Sequence, residues 1–105
     1  MRAYLAHPYM GLESNKKEIE RYMDIFEKQS PEFEIVSPIH EINDAYFTLE
    51  YLEGIELCFR LLDSCEIILL PKEIFMTSKG CNMEYGYAKG TGKKVLFYTE
   101  EGEIC

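Results

Sequence analysis

The chain has 105 residues, 47% apolar and 29% charged, which is the size and balance of one folded domain rather than a disordered segment. Eleven Lys and Arg against 19 Asp and Glu leave a formal charge of −8. That argues against a binder of polymeric nucleic acid, which needs a basic surface, but not against one small anion held by local backbone dipoles.

The elements alternate. Arg2-Ala3-Tyr4-Leu5-Ala6 reads as a short strand ending in the loop His7-Pro8-Tyr9-Met10-Gly11. Residues 13–29 read as a helix, with Ile19, Tyr22, Met23 and Phe26 at i, i+3, i+4 and i+7. Asn15 and Glu18 have the spacing of a capping box, and Ser30-Pro31 ends the helix. Phe33–Ser37 is a second strand, and 38–47 a longer polar and aromatic loop. A second helix spans 48–63, with Leu52, Ile55, Phe59 and Leu62 on one face. Glu66–Leu70 is a third strand, apolar throughout like one covered on both faces. Thr77-Ser78-Lys79-Gly80 leads into a third helix at 81–90, and Lys94–Tyr98 is a fourth strand. The acidic tail Glu100–Glu103 reads as solvated.

This β-α-β-α-β-α-β pattern predicts an α/β fold. The expected form is a small flavodoxin- or Rossmann-like three-layer sandwich, its parallel four-stranded sheet in the order 2-1-3-4 with helices on both faces. Ligands bind such sheets at the carboxyl ends of the strands where the winding reverses, here between strands one and three. Loops 7–15 and 71–84 are therefore the ones to inspect, with 37–47 as a cover.

No apolar run approaches the roughly 18–20 residues a bilayer requires, and Met1–Pro8 does not read as a signal peptide. The expectation is a cytoplasmic protein in which Cys58, Cys65, Cys81 and Cys105 are reduced. Without a C-x-x-C pair, and with only His7 and His40, no zinc site is expected.

The chemistry concentrates in Ser78-Lys79-Gly80-Cys81-Asn82-Met83-Glu84-Tyr85-Gly86-Tyr87-Ala88. Gly80 permits close backbone approach, and the first N–H groups of a helix form an anion site. Glu84, about one turn in, is either a carboxylate kept ionised by the helix dipole, fit to attack an anomeric carbon, or a glutamate on a solvated face.

The segment resembles the nucleoside 2-deoxyribosyltransferase superfamily, whose signature opens the last main helix with Glu-x-Gly-x-Ala. The resemblance implies that Glu84 is the nucleophile at C1′ of a 2-deoxyribosyl unit. Ser78, six residues earlier, looks more like the 2′-deoxynucleoside 5′-phosphate N-hydrolase branch, where that serine helps bind phosphate. The first strand is similar to the family's opening strand, and Tyr4 would orient the nucleophile; alternatively it is a core tyrosine with a satisfied hydroxyl. The pieces His7-Pro8-Tyr9, Ser37-Pro38-Ile39-His40, Cys58-Phe59-Arg60-Leu61-Leu62-Asp63-Ser64-Cys65 and Ser78-Lys79-Gly80-Cys81 resemble a set of short bacterial and phage relatives.

One position departs from the family. Cys58 stands where the characterised enzymes have an aspartate that reaches the sugar or base, and a neutral thiol does not replace a carboxylate. Asp63 and Glu56 would point elsewhere, leaving Asp44 or Glu50 as substitutes from the loop. His7 and His40 fall at strand ends, to protonate a leaving base, contact a phosphate, or simply bond to backbone. Tyr9, Tyr46 and Phe47 either stack on a base or close the core edge, Asn15 is a cap or a ligand contact, and Cys81 is a reactive thiol at a helix N-terminus or a packing residue.

The expected function is an N-glycosidase that cleaves, or transfers, the base of a 2′-deoxynucleoside or its 5′-monophosphate, without metal or cofactor. Glu84 and Tyr4 are its catalytic residues, and His7, Tyr9, Asn15, Ser37, His40, Ser78 and Gly80 bind substrate. The alternative is a nucleotide-sensing module of the same fold that has lost turnover. Leu49, Ile55, Leu57 and Leu61 exceed one buried stripe on the second helix, so a homodimer through it is expected.

Overall fold

The computed structural model describes residues 1–9, 12–42 and 51–105, with Tyr51 as backbone only. Strand β1 is Arg2–Leu5, helix α1 Glu13–Gln29, β2 Glu34–Val36, α2 Pro38–Ile42, α3 Tyr51–Asp63, β3 Ile67–Pro71, α4 Lys79–Gly90 and β4 Lys94–Tyr98. A 3₁₀ turn, Phe75–Thr77, precedes α4. The sheet order is β2-β1-β3-β4, with every pair parallel, as the alternation predicts.

Side-chain alternation along β1 and β3 divides the interior in two. Ala3, Leu5, Ile67 and Leu69 face α1, where Ile19, Tyr22 and Phe26 meet them together with Tyr98. Tyr4, Ala6, Ile68 and Leu70 face the other way, against Leu62 and Cys65 behind α3 and Cys81 and Ala88 of α4. Both central strands are buried on both sides, which accounts for the uninterrupted apolar run of β3.

Three local expectations differ from the structure. The N-cap of α1 is Leu12, with no side-chain cap; Asn15 lies inside the helix, and its Nδ2 donates to the Tyr9 carbonyl at 2.9 Å. It ties the His-Pro loop to the first turn rather than capping it. The stretch after β2 begins with a short helix instead of loop, started by Ser37, whose carbonyl accepts from the amides of His40 and Glu41, and by Pro38 in the first helical position. On α3, Leu52 is 75% exposed; the inward positions are Gly54, Cys58, Leu61 and Leu62.

The acidic residues Glu100, Glu101 and Glu103 are exposed, as expected, while the tail backbone is docked. Thr99–Gly102 turns back, Ile104 bridges Tyr98, and Cys105 exchanges backbone hydrogen bonds with Phe97. Gly102 is buried with φ +84°, and a Cβ there would lie 2.7 Å from Ile25 Cγ2, so only glycine closes this turn. All four cysteines are free thiols, and no described helix is long and apolar enough to cross a membrane.

Candidate active site

The carboxyl ends of β1 and β3 carry the densest chemistry. Tyr4 points from β1 toward α4, and its hydroxyl donates to Glu84 Oε2. Cys58, from α3, lies beside both groups. Tyr4 is fully buried and Glu84 mostly so. Three elements distant in sequence thus place a phenol, a carboxyl and a thiol in one cluster.

The electrostatics differ from the simple dipole expectation. Helix α4 starts at Lys79, so Glu84 belongs to its second turn, where the dipole has largely faded. Burial raises its carboxyl to about 7, opposed by the hydrogen bond from Tyr4. Glu84 is therefore neither on a solvated face nor a strongly ionised first-turn residue. Burial, and then the charge of Glu84, drive the Tyr4 phenol well above its usual value, so Tyr4 stays a neutral donor. Burial and the same charge push the Cys58 thiol to about 11, so it keeps its proton at neutral pH. Cys81 is raised to about 12, chiefly by burial, consistent with a packing role.

The approach to this cluster is the N-terminus of α4. Ser78 caps it, its Oγ accepting from the Cys81 amide at 3.3 Å, which leaves the hydroxyl proton available to a ligand oxygen. Asn82 Nδ2 donates to the Met76 carbonyl at 2.7 Å, and Phe75 packs against Tyr85 and Phe97, so the 3₁₀ turn is fastened to the helix it precedes. Gly80 is exposed, and a Cβ there would meet nothing; its contribution is open space above the first turn, not a backbone conformation only glycine adopts.

The other candidate residues go elsewhere. His7, Tyr9, Asn15 and His40 lie on the α1 side of the sheet. His7 Nδ1 bonds the Tyr98 hydroxyl at 2.8 Å and its ring contacts Tyr22. Tyr9 packs against the α1-side core. His40 Nδ1 bonds Ser37 Oγ at 2.8 Å, and its Nε2 lies 3.4 Å from Glu20 of α1. Both histidine rings thus have partners other than the Glu84 cluster, and Ser37 is buried holding one of them. Asp63 accepts from the Tyr87 hydroxyl at 2.5 Å, and Glu56 pairs with Arg60, so neither reaches the cluster. Asp44, Tyr46, Phe47, Leu49 and Glu50 lie outside the described residues.

A cleft of about 180 Å³ opens on the α1 side of the same sheet edge, between His7, Glu18, Tyr22, Lys72, Tyr98 and Glu100. Neither Tyr4 nor Glu84 lines it. Loops 7–15 and 71–84, the ones expected to hold a ligand, supply much of its lining, but on the face opposite Tyr4, since alternation along β1 assigns Tyr4 and His7 to opposite faces. Among the described residues, no group of three or more His, Cys, Asp or Glu could hold a metal ion.

A doubly wound parallel sheet with a largely buried carboxyl beside the carboxyl ends of β1 and β3 defines an α/β fold of the type that carries its sites at such a switch point. The chain matches the nucleoside 2-deoxyribosyltransferase family over residues 3–104 and belongs to it. Among solved structures it is similar to a 2-desoxiribosyltransferase from Leishmania mexicana, with a TM-score of 0.63 and 18% identity. That similarity covers 93% of this chain and 63% of the Leishmania chain, so this chain spans under two thirds of its relative's length. Comparison with curated protein sequences gives no match.

Proposed function

We propose that this protein cleaves the N-glycosidic bond of a 2′-deoxynucleoside or its 5′-monophosphate, with Glu84 as nucleophile. The observation that carries the reading is the hydrogen bond from buried Tyr4 to Glu84, a carboxyl held near neutrality at the switch point of a sheet of this family. A carboxyl at about 7 is a stronger nucleophile when ionised than an ordinary glutamate, and about half of it is ionised at pH 7.

In this mechanism Tyr4 fixes the carboxylate through Oε2, leaving Oε1 to attack C1′. The C1′–O bond forms as the C1′–N bond breaks. The bonding pair leaves with the base, which takes a proton from water. A 2-deoxy sugar lacks the electron-withdrawing hydroxyl next to C1′, so the oxocarbenium-like transition state is less costly and one carboxylate suffices to capture it. Water then attacks C1′, releasing the sugar and regenerating Glu84; the sum consumes one water. Ser78 and the first amides of α4 would hold a 5′-phosphate, the acceptor being water or a second base.

The Cys58 thiol favours a second reading. A group that keeps its proton until about 11 neither accepts a sugar hydroxyl proton nor protonates a base efficiently. With no carboxylate in its place, the protein would be a binding or sensing module with little turnover. Exposed Leu52 on α3 fits the further proposal that two copies pair through that helix, which light scattering at micromolar concentration tests; a monomer would oppose it.

Chromatography of mixtures with 2′-deoxynucleosides and their 5′-monophosphates separates the two readings. Base release that Glu84→Gln abolishes supports the hydrolase. Calorimetric binding without release supports the sensor.

A further inference from the structure

The α1-side cleft contains a histidine whose tautomer is set by its neighbours. Tyr98 is buried, and its hydroxyl donates to the Ala6 carbonyl at 2.7 Å. A phenol has one proton. At the 2.8 Å contact with His7 Nδ1, the Tyr98 oxygen must therefore accept, and Nδ1 must carry the hydrogen. Nε2 is then the unprotonated nitrogen of a neutral ring, and no hydrogen bond from a described residue reaches it. Burial lowers the ring's proton affinity, outweighing nearby Glu18, so the neutral form prevails at pH 7.

This changes what His7 can do. An acceptor nitrogen does not protonate a leaving base, and it repels a phosphate oxygen. It suits a partner that offers an N–H. Among the described residues the rest of the lining is acidic: Glu73 and Glu100 carry carboxylates there, Glu18 is paired with Arg21 beside the cleft, and Lys72 adds one ammonium. At about 180 Å³ the cleft is well below the roughly 300–1,000 Å³ of sites for drug-sized ligands, so it admits a heterocycle but not a nucleotide.

We propose that this cleft is a second binding site, distinct from the Glu84 cluster, for a free nucleobase, with His7 Nε2 accepting one of its N–H groups. The choice of a nucleobase rests on the N-glycosidase reading, in which such a base is the product or the acceptor. The acceptor geometry does not depend on that reading. The site lies on the same sheet edge as Glu84, close enough for the Glu84 charge to act on Tyr98.

The test is nitrogen-15 NMR of the His7 ring during titration with adenine, cytosine, hypoxanthine and uracil. In the free protein, Nδ1 should show the signature of a protonated ring nitrogen and Nε2 that of an unprotonated one. Each of these bases carries an N–H and should move the Nε2 resonance at millimolar concentration, whereas 1,3-dimethyluracil, which has none, should bind at least fivefold more weakly than uracil. His7→Phe should weaken adenine binding by about five- to tenfold, the loss of one hydrogen bond. Should that variant fold poorly, Tyr98→Phe removes the acceptor at Nδ1 and should scramble the tautomer while keeping the packing. Glu84→Gln should leave adenine binding unchanged. Equal binding of uracil and 1,3-dimethyluracil, or no movement of Nε2 with any base, overturns the proposal. Base release that survives Glu84→Gln overturns the N-glycosidase reading instead, and leaves the binding result standing.

Discussion

Removing one oxygen, Tyr4→Phe, isolates the link between the buried hydrogen bond and the nucleophile. The ring stays in its fully buried place, so packing is preserved, but Glu84 loses the one contact that opposes its desolvation. A hydrogen bond to a charged group contributes about 1.5–3 kcal/mol, equivalent to roughly one to two pKa units. The Glu84 carboxyl should then rise from about 7 to roughly 8–9. Its ionised fraction at pH 7 would fall from about one half to between roughly one tenth and one hundredth, a loss of about five- to fiftyfold in rate. The assay is a pH profile of base release from a deoxynucleoside between pH 5 and 10. The wild type should rise through about pH 7 and the variant one to two units later, with most of the rate recovered at the alkaline plateau. An inflection that stays at the wild-type pH would refute the reasoning, because Tyr4 would then not control Glu84 ionisation.

Three further outcomes follow from the same structure. Glu84 has its carboxyl raised when folded, so its stabilising effect is complete below about pH 4.5 and is lost as pH rises through about 7; Glu84→Gln should therefore stabilise the fold by roughly 2–3 kcal/mol at pH 8 and little at pH 4, read as the shift in the urea midpoint. Cys58→Asp restores a carboxylate beside Tyr4 and Glu84 and should raise base release by at least tenfold, measured by chromatography, while lowering thermal stability above pH 7 through like-charge repulsion; unchanged release would mean that position does not assist the base or sugar. Gly102→Ala forces a Cβ against Ile25 at a positive φ and should destabilise by about 1–3 kcal/mol in urea unfolding, without changing Glu84 chemistry.

The fold was legible because its signals are redundant. Alternating strands and helices, one continuous apolar strand and the right-handed crossover rule lead to the same sheet order, and β3 satisfies all of them. The pairing of Tyr4 with Glu84 follows once β1 lies beside β3 and α4 begins where β3 ends. The partners of the histidines were harder to read. Proximity to a strand end is a property of the chain, but the face a side chain takes is set by a period of two, and His7 is three positions on from Tyr4, an odd step that puts it on the opposite face. Asn15 illustrates another limit: capping geometry depends on where the first turn starts, and its amide instead found the Tyr9 carbonyl. The tail carries no periodicity at all; its docking depends on a positive-φ glycine meeting Ile25, a contact across 77 positions of chain that local patterns do not encode.

The central claim is that Glu84 bonds covalently to C1′. A 2′-fluoro-2′-deoxyarabinosyl nucleoside tests it most directly, since fluorine next to C1′ destabilises the oxocarbenium-like transition state of the hydrolytic step and lets the glycosyl-enzyme accumulate. Intact-mass measurement should show one added fluorodeoxysugar, and peptide mapping should place it on Glu84 within Asn82-Met83-Glu84-Tyr85. Base release with no adduct, or with the adduct on any other residue, would contradict the account.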